Sequence, residues 1–206
     1  MTLIEVFVVI IVLVVLAAML LPLLTHPGTR KPIACIDNLR QIGLSFHVWA
    51  GDNYNKYPMQ VSVTNGGAME LVTDGKNVWP TFQVMSNELV TTRVLVCPSD
   101  NGRVAATNFS NDFNNGKISY FVGLDADPSS PRAFLSGDDN FAISGELLKS
   151  GLLQLTPKTP VTWAATRHVK VGNVVLDDGS VQMLNTPQLP LFLQATGLAT
   201  NRLAIP

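Results

Sequence analysis

The chain has 206 residues, a length that suits one ordinary domain with an appendage and argues against several independent domains. Its net charge is only −1, so no basic surface is indicated that would attract nucleic acid by counterion release. Hydrophobic residues make up 47% of the chain and charged residues only 14%, against roughly 25% in an average soluble domain, so some apolar residues must serve outside an ordinary core.

The N-terminal segment holds these apolar residues. No Lys, Arg, Asp or Glu occurs between Glu5 and Arg30, and residues 6–21 are apolar without interruption. As a helix, residues 6–29 would extend about 36 Å, against a hydrocarbon core of about 30 Å in a bilayer. In lipid the backbone must satisfy its own hydrogen bonds, which forces a helix despite the many β-branched residues. We therefore predict a transmembrane or filament-core helix with a hinge over residues 1–30.

This segment differs from a secretory signal peptide, because it lacks a basic n-region, a short apolar region and a small-residue cleavage site. A simple membrane anchor leaves Glu5 unexplained, since an ionised side chain in an apolar span costs about 3 kcal/mol. The nearest compensating cation is the α-amino group of Met1, four residues earlier, or the same amine of a neighbouring chain. The alternative is that Glu5 is an interfacial residue of a signal anchor.

The run MTLIEV, followed by the apolar stretch, closely resembles the mature N-terminus of type IV pilins and type II secretion pseudopilins. In that family prepilin peptidase removes a basic leader and the new N-terminal amine is methylated. The resemblance implies a processed chain with methylation at Met1, and pairing of Glu5 with the amine of an adjacent subunit during assembly. It also implies an α+β pilin-like fold, in which the N-terminal helix continues into a helix packed on an antiparallel sheet.

Helix-breaking residues follow the apolar run. Proline removes an intrahelical hydrogen bond and clashes with the preceding turn, so we expect the backbone near residues 18–22 to kink or melt. The alternative for Pro22 is simply the end of the span. Further breakers follow closely, and we predict a helix broken over the interval from Pro22 through Pro27 and Gly28 to Pro32.

Residues 31–206 are predicted to form a globular α+β head. Apolar residues recur from residue 33 at helical spacing and define one stripe that should pack on a sheet, with the helix ending near Gly51. This stripe consists of Cys35, Leu39, Ile42, Phe46 and Trp49.

The two cysteines, Cys35 and Cys97, fit neither a metal-site spacing nor a CxxC redox pair. A single structural disulfide is the economical interpretation. Closing about 62 residues would stabilise the fold by roughly 4 kcal/mol in an oxidising compartment. Two buried thiols are the alternative.

Several runs bounded by turn residues are predicted to be strands. The clearest is a hairpin of residues 170–176 and 180–184, whose turn Asp177-Asp178-Gly179 suits positive backbone torsions. A final helix is predicted from Thr186-Pro187 to about residue 195. The other predicted strands are residues 93–97, 117–123, 141–147 and 161–165.

Head motifs add a second resemblance. Cys97-Pro98-Ser99-Asp100, Ser119-Tyr120, and His168 followed after nine residues by Asp178-Gly179 are similar to pilin-like proteins of planctomycetes and verrucomicrobia that carry an H-x9-D-G motif. No activity is established for those proteins, and the role of the motif is open.

His168 and Asp178 also raise a catalytic or metal hypothesis, because an imidazole and a carboxylate can meet across adjacent strands. No nucleophile motif or phosphate loop accompanies them, so a structural role is favoured, in which Asp178 shapes the turn and His168 bonds to a backbone group or to Asp178. We expect no enzyme activity and no cofactor. A calcium site at Asp177 and Asp178 is the remaining metal possibility, and two adjacent carboxylates are weak evidence for it.

The leading functional prediction is a structural subunit that polymerises with copies of itself through the N-terminal helix. The expected partners are the inner membrane before assembly, prepilin peptidase and the pilus or secretion machinery, and no nucleic acid. The expected location is the bacterial inner membrane and then an extracellular or periplasmic filament. The alternatives are a minor pseudopilin or tip subunit that binds a substrate or surface, and a single-span anchored protein that never polymerises.

Overall fold

The computed structural model describes residues 3–24 and 27–206, with the side chains of residues 3–18 and 33–206. Two long helices open the chain: α1 spans Leu3–Leu24 and α2 spans Pro27–Asp52. Every described side chain of α1 is exposed. Among the residues whose side chains are described, no helix combines the length and apolarity needed to cross a membrane.

The predicted helix break is placed differently by the structure. Pro22 lies inside α1, which continues to Leu24, so the predicted melting near residues 18–22 is wrong. Pro22 stands in the last turn, so only two residues of α1 follow it. Pro27 is the first residue of α2, a position that tolerates proline because that N–H has no helical partner, and Gly28 and Pro32 are also helical. Residues 25 and 26 lie outside the described residues.

Short helical elements connect α2 to the sheet. They form because turn residues and prolines interrupt longer periodic patterns. Three are α-helical: α3 (Met69–Val72), α4 (Trp79–Val84) and α5 (Ser86–Leu89). Four more are 3-10 turns at Pro58–Gln60, Val63–Asn65, Thr92–Leu95 and Asn115–Lys117.

A six-stranded antiparallel sheet forms the centre of the head, in the order β5-β9-β1-β2-β7-β8. The C-terminal strand β9 inserts between β5 and β1, so residues far apart in sequence become neighbours. The strands are β1 (Tyr120–Gly123), β2 (Phe134–Asp138), β5 (Gly151–Leu155), β7 (Val171–Leu176), β8 (Val181–Asn185) and β9 (Asn201–Ile205).

A smaller antiparallel sheet has the order β4-β3-β6. It consists of β3 (Phe141–Ile143), β4 (Glu146–Leu147) and β6 (Val161–Trp163). Between β8 and β9 lies α6 (Leu189–Ala195).

Alternate residues of the central strands belong to two different hydrophobic clusters, because successive side chains of a strand point to opposite faces of the sheet. Val175 of β7 belongs to the cluster that contains α2, and its neighbour Val174 belongs to the cluster with Phe141, Trp163 and α6. The predicted stripe of α2 is confirmed as core, since all five of its residues are buried. The head is therefore α+β, with α2 packed on an antiparallel sheet.

The strand predictions have a mixed outcome. The hairpin of β7 and β8 is confirmed, and Gly179 in its turn has φ +80°. Residues 93–97 are not a strand: the hydroxyl of Thr91 accepts from the backbone N–H of Arg93 at 3.4 Å and caps a 3-10 turn there. Residues 141–147 form two short strands, β3 and β4, where one was predicted. Strands β2, β5 and β9 were not predicted.

Candidate functional site

The predicted assembly residues lie at the N-terminus. Glu5 is in the first turn of α1 and is exposed. Met1 lies outside the described residues. The pairing of Glu5 with an N-terminal amine, and the processing of Met1, therefore stay predictions.

The predicted disulfide is confirmed. Cys35 of α2 is bonded to Cys97, which follows the 3-10 turn Thr92–Leu95, with 5.1 Å between the Cα atoms. Both cysteines are fully buried. The bond fixes the N-terminal half of α2 to the segment that leads into the sheet.

His168 lies against this disulfide. Its backbone carbonyl accepts from the N–H of Val171, forming an isolated bridge just before β7. The buried ring places Nε2 3.3 Å from Cys97 Sγ and 3.5 Å from Oδ2 of Asp138, at the end of β2. The side-chain partner of the motif histidine is therefore Asp138.

Asp178 and Gly179 serve the hairpin turn. Oδ1 of Asp178 accepts from the backbone N–H of Ser180 at 2.8 Å, and its own N–H donates to the carbonyl of Pro131 at 3.1 Å. The predicted contact of His168 with Asp178 is not found, because each side chain engages other groups. The turn-shaping role expected for Asp178 is confirmed.

Asp177 is buried and has a hydrogen-bond partner of its own. The hydroxyl of Tyr57 donates a short hydrogen bond to Oδ1 of Asp177. Burial raises the pKa of Asp177, and the Tyr57 hydrogen bond and the charge of His47 oppose that rise. Burial and the bond to Asp177 raise the pKa of Tyr57 as well. The calcium possibility gains no support from this geometry, since each carboxylate already accepts from a different donor.

Asp138 is a functional candidate that the sequence did not reveal. Its side chain is fully buried, and Oδ2 accepts from the backbone N–H and the amide of Asn173 at 2.8 and 2.9 Å. Oδ1 has no hydrogen-bond partner among the described residues. Burial raises the pKa of Asp138, against the opposing charge of His168. Burial and the charge of Asp138 raise the pKa of Tyr120 as well.

A cluster of four charged side chains lies beside this group and was also not predicted. Nη2 of Arg167 lies 2.8 Å from Oδ2 of Asp100 and also contacts Asp139. Nη1 of Arg103 lies 2.7 Å from Asp139 and 3.2 Å from Asp100. Two consecutive aspartates at the end of β2 thus meet two consecutive residues before β7: Asp138 faces His168, and Asp139 faces Arg167.

The pKa values of the two aspartates in this charged cluster are shifted in opposite directions. Burial acts to raise the pKa of Asp100, but Arg167, the hydroxyl of Ser119 and other partners together hold it below its usual value. The pKa of Asp139 is raised by burial, although Arg167 and Arg103 act against it. Two guanidinium groups balance two carboxylates, so the cluster has no net charge to attract an ion of either sign.

A cavity of about 460 Å³ adjoins the charged cluster. Its lining includes Asp100, Arg103, Asp139 and Arg167, together with Thr166 and Pro206. The charged groups lining it are already paired with one another, so the cavity presents no unpaired nucleophile, acid or base from that cluster.

One set of metal-ligating atoms stands out in the described part of the chain. Sγ of Cys35, Sγ of Cys97 and a ring nitrogen of His168 all lie within 4.8 Å of one another. In the oxidised chain the two sulfurs are bonded to each other and are not free to bind a metal.

Comparisons with protein families, with curated proteins and with solved structures return no match for this chain. The pilin-like resemblance therefore rests on the N-terminal run and the head motifs.

Proposed function

We propose that the chain is a structural subunit that polymerises into a pilus-like or pseudopilus filament through α1. The observation that carries the proposal is the surface of this helix. From Leu3 to Ala18 every side chain is exposed, and Glu5 is the single residue among them that is not apolar.

An apolar helix surface of this kind needs a partner. Each exposed Å² of apolar surface costs about 25 cal/mol relative to burial, and soluble monomers rarely expose apolar patches beyond a few hundred Å². A helix that is apolar all round is characteristic of a fully buried position. Identical copies of α1 satisfy this requirement on every side at once, whereas a single groove would cover only one face.

The head supports the same proposal. It has its own two-sided core and a disulfide, so it is stabilised independently of what α1 contacts. Copies of α1 can then form the interior of a filament while the heads form its outside. Before assembly, the inner membrane would hold α1, and prepilin peptidase and the assembly machinery would act on the chain, as the resemblance implies.

Glu5 gives the bundle its register in this proposal. A carboxylate among apolar helices is costly unless an opposite charge accompanies it. The N-terminal amine of an adjacent subunit supplies that charge when the two helices are offset along the filament axis. A subunit out of register would leave Glu5 among apolar side chains.

The test compares filaments from cells that make variants of the protein. Glu5→Gln keeps the shape and removes the charge, Glu5→Leu removes both, and Glu146→Gln changes an exposed glutamate of β4 in the head as a matched control. We expect sheared filaments, counted by electron microscopy, to fall at least tenfold for both Glu5 variants and to be unchanged for Glu146→Gln.

Normal filaments from Glu5→Leu would overturn the role of Glu5. Absence of filaments from the unaltered chain, with a monomeric detergent extract and an unmethylated N-terminus by mass spectrometry, would favour the single-span anchored protein. Filaments in which this chain is scarce, yet needed for initiation, would favour the minor or tip subunit.

A further inference from the structure

The position of His168 against the disulfide is not explained by the disulfide itself. Its Nε2 is 3.3 Å from Cys97 Sγ in a buried setting. A disulfide sulfur carries no proton to donate and is only a weak acceptor, so it gives little in return for a buried imidazole. A cysteine thiolate, by contrast, is a strong ligand and a strong partner of an imidazole.

Asp138 adds a second, independent observation. Its Oδ2 lies 3.5 Å from the same ring nitrogen of His168. Its Oδ1 is buried and without a hydrogen-bond partner in the described part of the chain, although buried carboxylate oxygens are normally satisfied. A carboxylate with an unpaired oxygen therefore lies beside the ring nitrogen of His168, just outside the set in which the atoms of Cys35, Cys97 and His168 all fall within 4.8 Å of one another.

We propose that reduction of the disulfide converts this group into a tetrahedral Zn²⁺ site, with Cys35, Cys97 and His168 as ligands and Asp138 as the fourth. Two thiolates, one imidazole and one carboxylate are ligands that suit zinc, and four protein ligands make a closed structural site. With Zn–S near 2.3 Å and Zn–N near 2.0 Å, sulfur and nitrogen in a tetrahedral site are about 3.5 Å apart. The 3.3 Å between Cys97 and His168 is close to that value.

The two states interconvert by a balanced reaction. A thiol or phosphine reductant gives two electrons and two protons to the disulfide, and the S–S bond is replaced by two thiols. Zn²⁺ then displaces the two thiol protons to solvent and binds both thiolates. Oxidation by a disulfide-forming oxidant removes two electrons, restores the S–S bond and releases the ion.

Under reducing conditions the proposed site would join the same two segments that the disulfide joins under oxidising conditions. Cys35 lies on α2, Cys97 precedes β1, Asp138 ends β2 and His168 precedes β7. An ion bound to all four would therefore connect the helix to the sheet before the chain reaches an oxidising compartment. This inference does not depend on the filament proposal.

The test uses the full chain in detergent, reduced with a phosphine under argon and titrated with Co²⁺ as the spectroscopic substitute for Zn²⁺. We expect one Co²⁺ per reduced chain, with sulfur-to-cobalt charge-transfer absorption and tetrahedral visible bands that Zn²⁺ abolishes by displacement. The oxidised chain should show neither signal.

Variants assign the ligands. His168→Gln and Asp138→Asn should each weaken Co²⁺ binding more than tenfold, the paired change Cys35→Ser with Cys97→Ser should abolish it, and His47→Gln, a histidine outside the group, should leave it unchanged. The single variants are first confirmed as folded in the oxidised state by circular dichroism, where the disulfide still stabilises the head. Equal Co²⁺ binding by oxidised and reduced chains, or unchanged affinity in His168→Gln, would overturn the proposal.

Discussion

The two long helices of this chain differ in how their apolar residues are exposed. In α1 the described side chains are exposed around the whole circumference. In α2 the five residues of the apolar stripe are buried in the core of the head, and Ile33, Leu44 and Val48 lie exposed outside that stripe. The apolar side chains described in α1 are not covered by the rest of the chain, whereas α2 is amphipathic and its apolar stripe is buried in the head.

This difference separates the residues that fold the subunit from those that would join subunits. The difference follows from the spacing of the apolar residues. A stripe with a period of 3.6 residues is buried by one packing surface, whereas an apolar circumference needs neighbours on several sides. Substitutions in α2 should therefore change the stability of the head, and substitutions in α1 should change assembly alone.

The sharpest comparison uses a phenylalanine from each helix. Phe46 of α2 is fully buried, and Phe7 of α1 is 61% exposed. We expect Phe46→Ala to lower the free energy of unfolding of the head by about 3–5 kcal/mol, because it removes a core ring and leaves a cavity. Phe7→Ala should change it by less than about 0.5 kcal/mol. Denaturant unfolding of the detergent-solubilised chain measures both, and equal losses would show that α1 is part of the folding unit.

The disulfide offers the next largest effect, because it joins α2 to a segment 62 residues away. The paired change Cys35→Ser with Cys97→Ser should lower the free energy of unfolding by about 4 kcal/mol under oxidising conditions on the chain-entropy model. The control is the unaltered chain treated with a reductant and a metal chelator, which should lose a similar amount. A loss below about 1 kcal/mol in both would mean that packing alone holds α2 in place.

Close packing between α2 and β7 gives a smaller effect. A Cβ added at Gly43 would come within 2.8 Å of a methyl group of Val175, so Gly43→Ala should cost about 1–3 kcal/mol. Gly51, in the last turn of the same helix, has open space at that position, and Gly51→Ala should be neutral or stabilising by up to about 1 kcal/mol. Thermal unfolding of the two variants compares them directly, and equal shifts would argue against a tight helix–sheet contact at Gly43.

Local patterns made part of this fold predictable. The stripe of α2 repeats within one helix, and the β7–β8 hairpin is joined by a turn whose Gly179 suits a positive φ, so both follow from neighbouring residues. Strand β9 was missed because its partners, β5 and β1, are distant in sequence and nothing local indicates pairing. Residues 93–97 were assigned to a strand on β-propensity, which capping by Thr91 overrides.

The candidate site depended on the same distant pairing. The side chain of His168 was expected to bond to a backbone group or to Asp178, which lies in the turn of the β7–β8 hairpin. The observed partner, Asp138, comes from β2, which pairs with β7 with Gly137 opposite Val174. The consecutive pair Asp138-Asp139 after an apolar run was the available signal. Finding the partners of these two aspartates required the order of the strands in the sheet, which a single sequence does not supply.

The smallest expected effect is a pH dependence at the buried contact between Tyr57, which precedes the 3-10 turn Pro58–Gln60, and Asp177 in the β7–β8 turn, where Tyr57 donates to Asp177. Burial raises the pKa of Asp177 above its usual 3.8, so the folded chain keeps this proton to higher pH than the unfolded chain does. Stability from this group is therefore greatest at low pH and falls as pH rises from 3.8 through the raised pKa. Asp177→Asn lacks this titration, so its free energy of unfolding relative to the unaltered chain should increase with pH across that window.

Asp112 provides the control with the opposite sign. Hydrogen bonds from Thr107 lower the pKa of this exposed carboxyl, so its contribution is present above 3.8 and is lost as pH falls through the lowered pKa. Asp112→Asn should therefore lose stability relative to the unaltered chain as pH rises through the window below 3.8. Urea unfolding at a series of pH values measures both differences, and the same slope for the two variants would show that burial does not govern Asp177. Opposite slopes would show that the hydrogen bond between Tyr57 and Asp177 contributes to the stability of the head, as the buried apolar stripe of α2 does.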